Sequence, residues 1–115
     1  MVGIFKALAE ENRLRILSLL IEDDLCVCEI ESVLNMSQSN VSKHLTALKQ
    51  SGILRSYKKA QWAYYGISDR FIEENKELYQ YLIMRLKELP SYQDDNSKFI
   101  KCRQEDICNN SKRPC

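Results

Sequence analysis

Ser37-Gln38-Ser39-Asn40-Val41-Ser42-Lys43-His44-Leu45-Thr46-Ala47-Leu48-Lys49-Gln50-Ser51-Gly52-Ile53-Leu54 decides the fold. Either Ser37 or Ser39 supplies a side-chain oxygen to cap a helix from about Gln38 to Gln50. At 100° per residue, Val41, Leu45 and Leu48 fall within about 60° of one another and form a buried stripe. Ser39, Lys43, Thr46 and Gln50 point the other way, flanked by Ser42 and Ala47. Ser51-Gly52 ends the helix, glycine being suited to the left-handed position there. Ahead of it, about Cys26 to Leu34 reads as a short helix with Ile30, Val33 and Leu34 inward, joined by the turn Asn35-Met36-Ser37. Behind it, Ile53–Tyr57 and Trp62–Ile67 are rich in aromatic and β-branched residues and read as two strands. Lys58-Lys59-Ala60-Gln61 is their basic tip. Helix, turn, helix and basic hairpin spell a winged helix-turn-helix, mainly α with a two-stranded β-hairpin wing.

The remainder supports one small domain. Ile4, Phe5 and Leu8 make a short amphipathic helix, and Leu14, Ile16, Leu17, Leu20 and Ile21 make a second, closed by Glu22-Asp23-Asp24. Asp69 begins a long last helix to about Leu89, with Ile72, Leu78, Leu82, Leu86 and Leu89 on one side, and Pro90 stops it. Residues 1–90 are thus read as the folded domain. Residues 91–115 are polar and read as a flexible tail carrying Cys102, Cys108 and Cys115. With 115 residues, 44% of them hydrophobic, the core is thin, and a dimer would bury more. No apolar run spans a bilayer and no signal peptide is evident, so a cytoplasmic protein without membrane contact is expected.

Net charge is only +1, but its distribution is informative. No Asp or Glu occurs from Ser32 to Ser68, where Lys43, Lys49, Arg55, Lys58 and Lys59 lie. One purely cationic segment in a neutral chain is a localised anion-binding face. On duplex DNA the phosphates would meet Lys49, Arg55, Lys58 and Lys59. Bases would meet Gln38, Ser39, Asn40, Ser42, Lys43 and Thr46 on the exposed helix face, Gln38 suiting adenine and Lys43 guanine. Lys58, Lys59 and Gln61 would lie along the neighbouring backbone or minor groove. His44, about 60° off the buried stripe, serves either helix-edge packing or a phosphate.

Five cysteines is an odd number, which weakens a disulfide framework and favours metal or redox chemistry. Cys26-Val27-Cys28 puts two thiols one residue apart just ahead of the DNA-reading pattern. Soft ions prefer such sulfur ligands. On a regular helix these residues point about 200° apart, so holding one ion requires the first turn to unwind. Cys102 or Cys108 could join them, since the chain from Pro90 to Cys102 reaches roughly 35 Å when extended.

The chain resembles the ArsR (ArsR/SmtB) family of bacterial winged-helix repressors. The resemblance lies in Phe5-Lys6-Ala7-Leu8-Ala9, Asn12-Arg13-Leu14-Arg15-Ile16-Leu17, Leu25-Cys26-Val27-Cys28-Glu29-Ile30, Ser37 to Leu45, and Leu48-Lys49-Gln50-Ser51-Gly52-Ile53-Leu54. It implies a homodimer, paired through its first and last helices, on a palindromic operator. It implies release by a metal ion or metalloid. Leu-Cys-Val-Cys is similar to the arsenite-responsive branch, which implies As(III) or Sb(III) as inducer in a three-sulfur site. Glu31 stands where that branch has a third cysteine, so the third thiolate comes from elsewhere or is absent. Zinc sensors of the family place carboxylate and histidine on the last helix, whereas the one histidine here is His44. Redox sensing, or a cadmium or lead site, is an alternative within the same regulatory class. A thiol-rich sequestration protein is another, which the cationic segment argues against. No nucleophile–base pair, phosphate loop or open metal triad suggests an enzyme.

Overall fold

The computed structural model describes residues 1–105. In chain order it contains α1 (Val2–Leu8), α2 (Glu11–Glu22), β1 (Leu25–Cys26), α3 (Val27–Leu34), α4 (Gln38–Gln50), β2 (Leu54–Lys59), β3 (Trp62–Ile67), α5 (Asp69–Glu74), α6 (Lys76–Arg85), a 3-10 turn (Leu86–Glu88) and α7 (Tyr92–Glu105). Ser37 is the cap of α4, its Oγ accepting the Asn40 N–H at 3.2 Å. Val41, Leu45 and Leu48 are completely buried, as are Ile16 of α2 and Ile30 of α3. Each such side chain contributes about 1.5–3 kcal/mol relative to exposure. The turn between α3 and α4 rests on Asn35 in the left-handed region (φ 54), which asparagine tolerates. Gly52 (φ 88) takes the same region after α4. The fold is the winged helix-turn-helix read from the sequence.

The sheet has a third strand that the two-stranded reading lacks. Its order is β1-β3-β2, all antiparallel, with Leu25 opposite Tyr65 and Cys26 opposite Tyr64. A two-residue strand has no periodicity to read. Cys26 consequently lies outside the helix as the N-cap of α3, in extended conformation (φ −84, ψ 164). The long last helix is also divided. Asn75 leaves helical geometry (φ −138, ψ 50), and its amide nitrogen donates to the Phe71 carbonyl at 3.1 Å, ending α5 before α6 begins.

The segment read as a flexible tail is helical from Tyr92 to Glu105 and packs on α2 and α3. Two ion-paired ends hold it. The Arg15 guanidinium grips Asp95 with bonds of 2.9 and 3.0 Å, and the Asp95 side chain is 1% exposed. That bond raises the Arg15 pKa. Near the other end, Arg103 pairs with Asp23 at 2.9 Å and Glu29 at 3.3 Å. Between them Phe99 is half-buried and Cys102 is buried. Cys108 and Cys115 lie outside the described residues.

The expected dimer stripe is partly spent within the subunit, for Leu8, Leu82 and Leu86 are buried. The large apolar side chains left in solvent are Val2 and Phe5 on α1 and Tyr81 and Met84 on α6, among others. Among the described residues no helix is long and apolar enough to cross a membrane.

Asp95→Ala should leave the Arg15 cation without its carboxylate and loosen α7. The expected cost is roughly 2 kcal/mol in urea unfolding, together with faster alkylation of Cys102. An unchanged midpoint and unchanged labelling would mean that the ion pair does not hold the helix.

Candidate nucleic-acid interface and thiol centre

Ser37 and the buried stripe of α4 fix which side of that helix faces outward. Gln38, Ser39, Asn40, Ser42, Lys43, Thr46 and Lys49 are all exposed on it. Residues Leu54–Lys59 pair with Trp62–Ile67 in unbroken register, ending at Lys59 opposite Trp62. This register places Lys58, Lys59 and Gln61 at the exposed hairpin end. Lys49 links helix to wing, its Nζ donating to Ser56 Oγ at 2.6 Å. Arg55 is less available than the sequence suggests. Its Nη2 lies 3.1 Å from Asp24 Oδ2 in an ion pair. Tyr57 stacks on Tyr64 with ring centroids 5.7 Å apart, and Trp62, Tyr64 and Tyr65 are half-buried in the sheet.

His44, read above as either helix-edge packing or a phosphate contact, faces inward and is only 8% exposed. Its offset from the stripe turns it toward α2. Arg13 Nε donates to its Nδ1 at 3.2 Å, and Glu10 Oε2 lies 3.2 Å from the same nitrogen. Burial lowers the His44 pKa, favouring the neutral imidazole that can accept from Arg13. His44 therefore joins the recognition helix to the start of α2.

The thiols occupy the junction between sheet and helix-turn-helix. Cys26 is completely buried at the end of β1, and Cys28 is half-buried in the first turn of α3. Glu29 Oε1 accepts the Cys26 N–H at 3.0 Å. The Cys26 sulfur accepts the Glu29 N–H in return, forming a capping box with cysteine in the usual serine or threonine role. Burial pushes the Cys26 thiol up. Glu29 is itself buried, and its Oε2 receives Arg103 from α7. Cys102, next to Arg103, is buried on α7, a helix that packs against α2 and α3.

Among the described residues, no three His, Cys, Asp or Glu side chains are grouped to hold an ion. The arrangement brings the elements carrying Cys26, Cys28 and Cys102 into contact without assembling a closed site. Cys108, the fourth expected ligand, lies outside the described residues. Unwinding a full helical turn is not required to turn both sulfurs of the pair to one ion, because Cys26 is already outside the helix. The residues that sequence reading missed are Asp24, Glu29 and Arg103. Cys26-Val27-Cys28-Glu29 does carry the spacing of a capping box, and that signal was available.

A profile described as "Bacterial regulatory protein, arsR family" matches residues 10–56. The cadmium resistance transcriptional regulatory protein CadC of Listeria innocua is 43% identical over 68 residues, covering 58% of this chain and 57% of CadC. The arsenical resistance operon repressor of Escherichia coli is also 43% identical over 68 residues, covering 58% of each chain. The chain thus matches just over half the length of these curated relatives. Among solved structures, HlyU from Vibrio cholerae is 38% identical with a TM-score of 0.60, over 70% of this chain and 88% of that one.

A neutral, buried His44 has its folded pKa below the unfolded value of about 6.5. The stability it contributes is full above that pH and is lost as pH falls through the folded pKa. Thermal melts of wild type and His44→Gln between pH 7.5 and 5 should therefore diverge, wild type losing more. Parallel curves would show that His44 titrates as it does in the unfolded chain.

Proposed function

The chain belongs to the arsR family of bacterial regulatory proteins, and from that premise we propose a homodimeric transcriptional repressor released by trivalent arsenic or antimony. Cys26 and Cys28 supply two thiolates, and Cys102 or Cys108 supplies the third. One observation carries the reading: Cys26 closes β1, caps α3 and faces Tyr64 of the wing. A ligand that claims its sulfur acts on the wing and on the helix-turn-helix together.

The operator is a palindrome, each subunit laying the exposed face of α4 in the major groove. Gln38, Ser39, Asn40, Ser42, Lys43 and Thr46 reach the base edges, and Lys49, Lys58 and Lys59 meet phosphates. Arg55 takes a phosphate only when Asp24 gives it up. Few cations per subunit make weak binding alone, so two subunits are required for useful affinity. Val2, Phe5, Tyr81 and Met84, all more than half exposed, supply apolar surface for pairing through α1 and α6. The cytoplasm, where thiols stay reduced, suits this chemistry.

Release begins at the capping box. A thiolate at Cys26 requires loss of a proton that burial makes reluctant to leave, and soft thiophilic ions displace such protons. Once the sulfur turns toward Cys28, the Glu29 N–H loses its acceptor and the first turn of α3 shifts against α4. Antimony and arsenic fit a site with three sulfurs. Cadmium is the second reading, favoured by equal identity to CadC and to the arsenical repressor, and it calls for a fourth donor.

Arsenite titrated into the reduced protein on a labelled palindromic operator fragment, followed by anisotropy, should release the DNA near stoichiometry while zinc does not. Cys28→Ser should bind DNA within about threefold of wild type and need at least tenfold more arsenite for release. Release of that variant at the wild-type concentration would remove the pair from the sensor, and release by cadmium alone would select the second reading.

A further inference from the structure

We propose that Asp24 is the positioning residue that couples the thiol site to the wing; this rests on the repressor reading above. Asp24 stands between α2 and β1, two residues before Cys26. Its Oδ2 accepts the Tyr57 hydroxyl at 2.7 Å and Arg55 Nη2 at 3.1 Å, both from β2. Its main-chain carbonyl accepts Arg103 Nη2 at 3.0 Å, from α7. Its other carboxylate oxygen lies over Gly66 of β3 so closely that a Cβ there would collide with it. Gly66 is therefore glycine for room, not for an unusual backbone. One side chain thus holds β2 by two hydrogen bonds and lies against β3, while its backbone is tied to the helix that carries Cys102.

The Tyr57 phenol has a raised pKa, caused first by its bond to Asp24, as a donor to a carboxylate should. The mechanical path is short. Leu25 and Cys26 pair with Tyr65 and Tyr64, so turning the Cys26 sulfur toward Cys28 twists β1. Asp24 is the next residue along and moves with it. Tyr57 and Arg55 then lose their common acceptor, and the hairpin bearing Lys58 and Lys59 is no longer fixed to the α2–β1 turn. A cleft of about 430 Å³ between that turn, Trp62 and Arg103 gives the wing room to tilt. In the ion-free protein Asp24 holds the wing where its lysines meet phosphates; the ion-loaded protein lacks that hold. Coupling between distinct sites typically changes affinity about 5–150-fold.

The test compares wild type, Asp24→Ala and Asp24→Asn on the operator fragment, across a salt series, with and without arsenite. Near-ultraviolet arsenic–thiolate absorbance reports binding of the ion independently, and thermal melts report folding. Ion-free Asp24→Ala should bind DNA about tenfold more weakly. Its dependence of log affinity on log salt should be shallower by about 2, because losing Lys58 and Lys59 while the freed Arg55 gains a phosphate removes a net one contact per subunit at ~0.9 each. Arsenite should still bind its thiols yet change its DNA affinity less than threefold. Asp24→Asn, whose amide oxygen still accepts from Tyr57, should fall between, and it carries the test if the alanine variant does not fold. Wild-type affinity, salt slope and arsenite response in both variants would overturn the proposal. If arsenite binds wild type without releasing DNA, the repressor reading itself fails and the coupling with it, which is a different pattern from failure at Asp24 alone.

Discussion

A buried carboxylate must be given partners, and Glu29 is given them from two directions. One oxygen takes the Cys26 N–H at 3.0 Å and the other takes Arg103 of α7 at 3.3 Å. Left without either, an ionised group buried to this degree would cost several kcal/mol. That requirement fixes the start of α3, orients the sulfur of Cys26 and keeps α7 across the thiol region. The helix-turn-helix, the wing sheet and the C-terminal helix all meet at this point. Arg15 and Asp95 repeat the solution at the other end of α7, so charge pins the helix on either side of the half-buried Phe99 and the buried Cys102.

The magnitudes suit a switch. Opening a helix cap costs about 0.5–2 kcal/mol. Ion–thiolate binding is far stronger, on the order of 10 kcal/mol for sites in small zinc-bound folds. An ion at Cys26 and Cys28 can therefore displace the cap and retain most of its affinity. Unwinding a whole turn would have consumed more. Because linkage is reciprocal, DNA that prefers the closed cap weakens ion binding by the same factor. In the proposed switch the wing would respond because β1 pairs with its strand β3, a two-residue connection that a hairpin alone would not provide.

The recognition helix was legible in the sequence because its stripe, cap and terminal glycine agree, and each is visible in residue type. The wing hairpin was legible for the same reason. α7 was not, although Tyr92, Asp95, Phe99 and Cys102 have helical spacing. Two of those four are an acid and a thiol, and only partners distant in sequence, Arg15 and the surface of α3, make them buried residues. His44 was ambiguous by angle, and Arg13 with Glu10 decided it. Asn75 broke a helix whose apolar pattern continues on either side, since the pattern records burial while the side-chain bond to Phe71 sets the backbone. Cys26 was assigned to a helix because a strand of two residues leaves no alternation to detect. The thiol pair itself was plain; its place at a cap needed the register with Tyr64.

In the proposed switch the cap of α3 opens when the thiols take a soft ion. Hydrogen exchange resolved to single amides, on reduced protein with and without one equivalent of arsenite, addresses it most directly. The Cys26 and Glu29 amides should lose protection on loading, along with the β1–β3 ladder at Tyr64, while the interior of α2 stays protected. Unchanged protection at Cys26 and Glu29 in protein shown to hold arsenite would contradict the account.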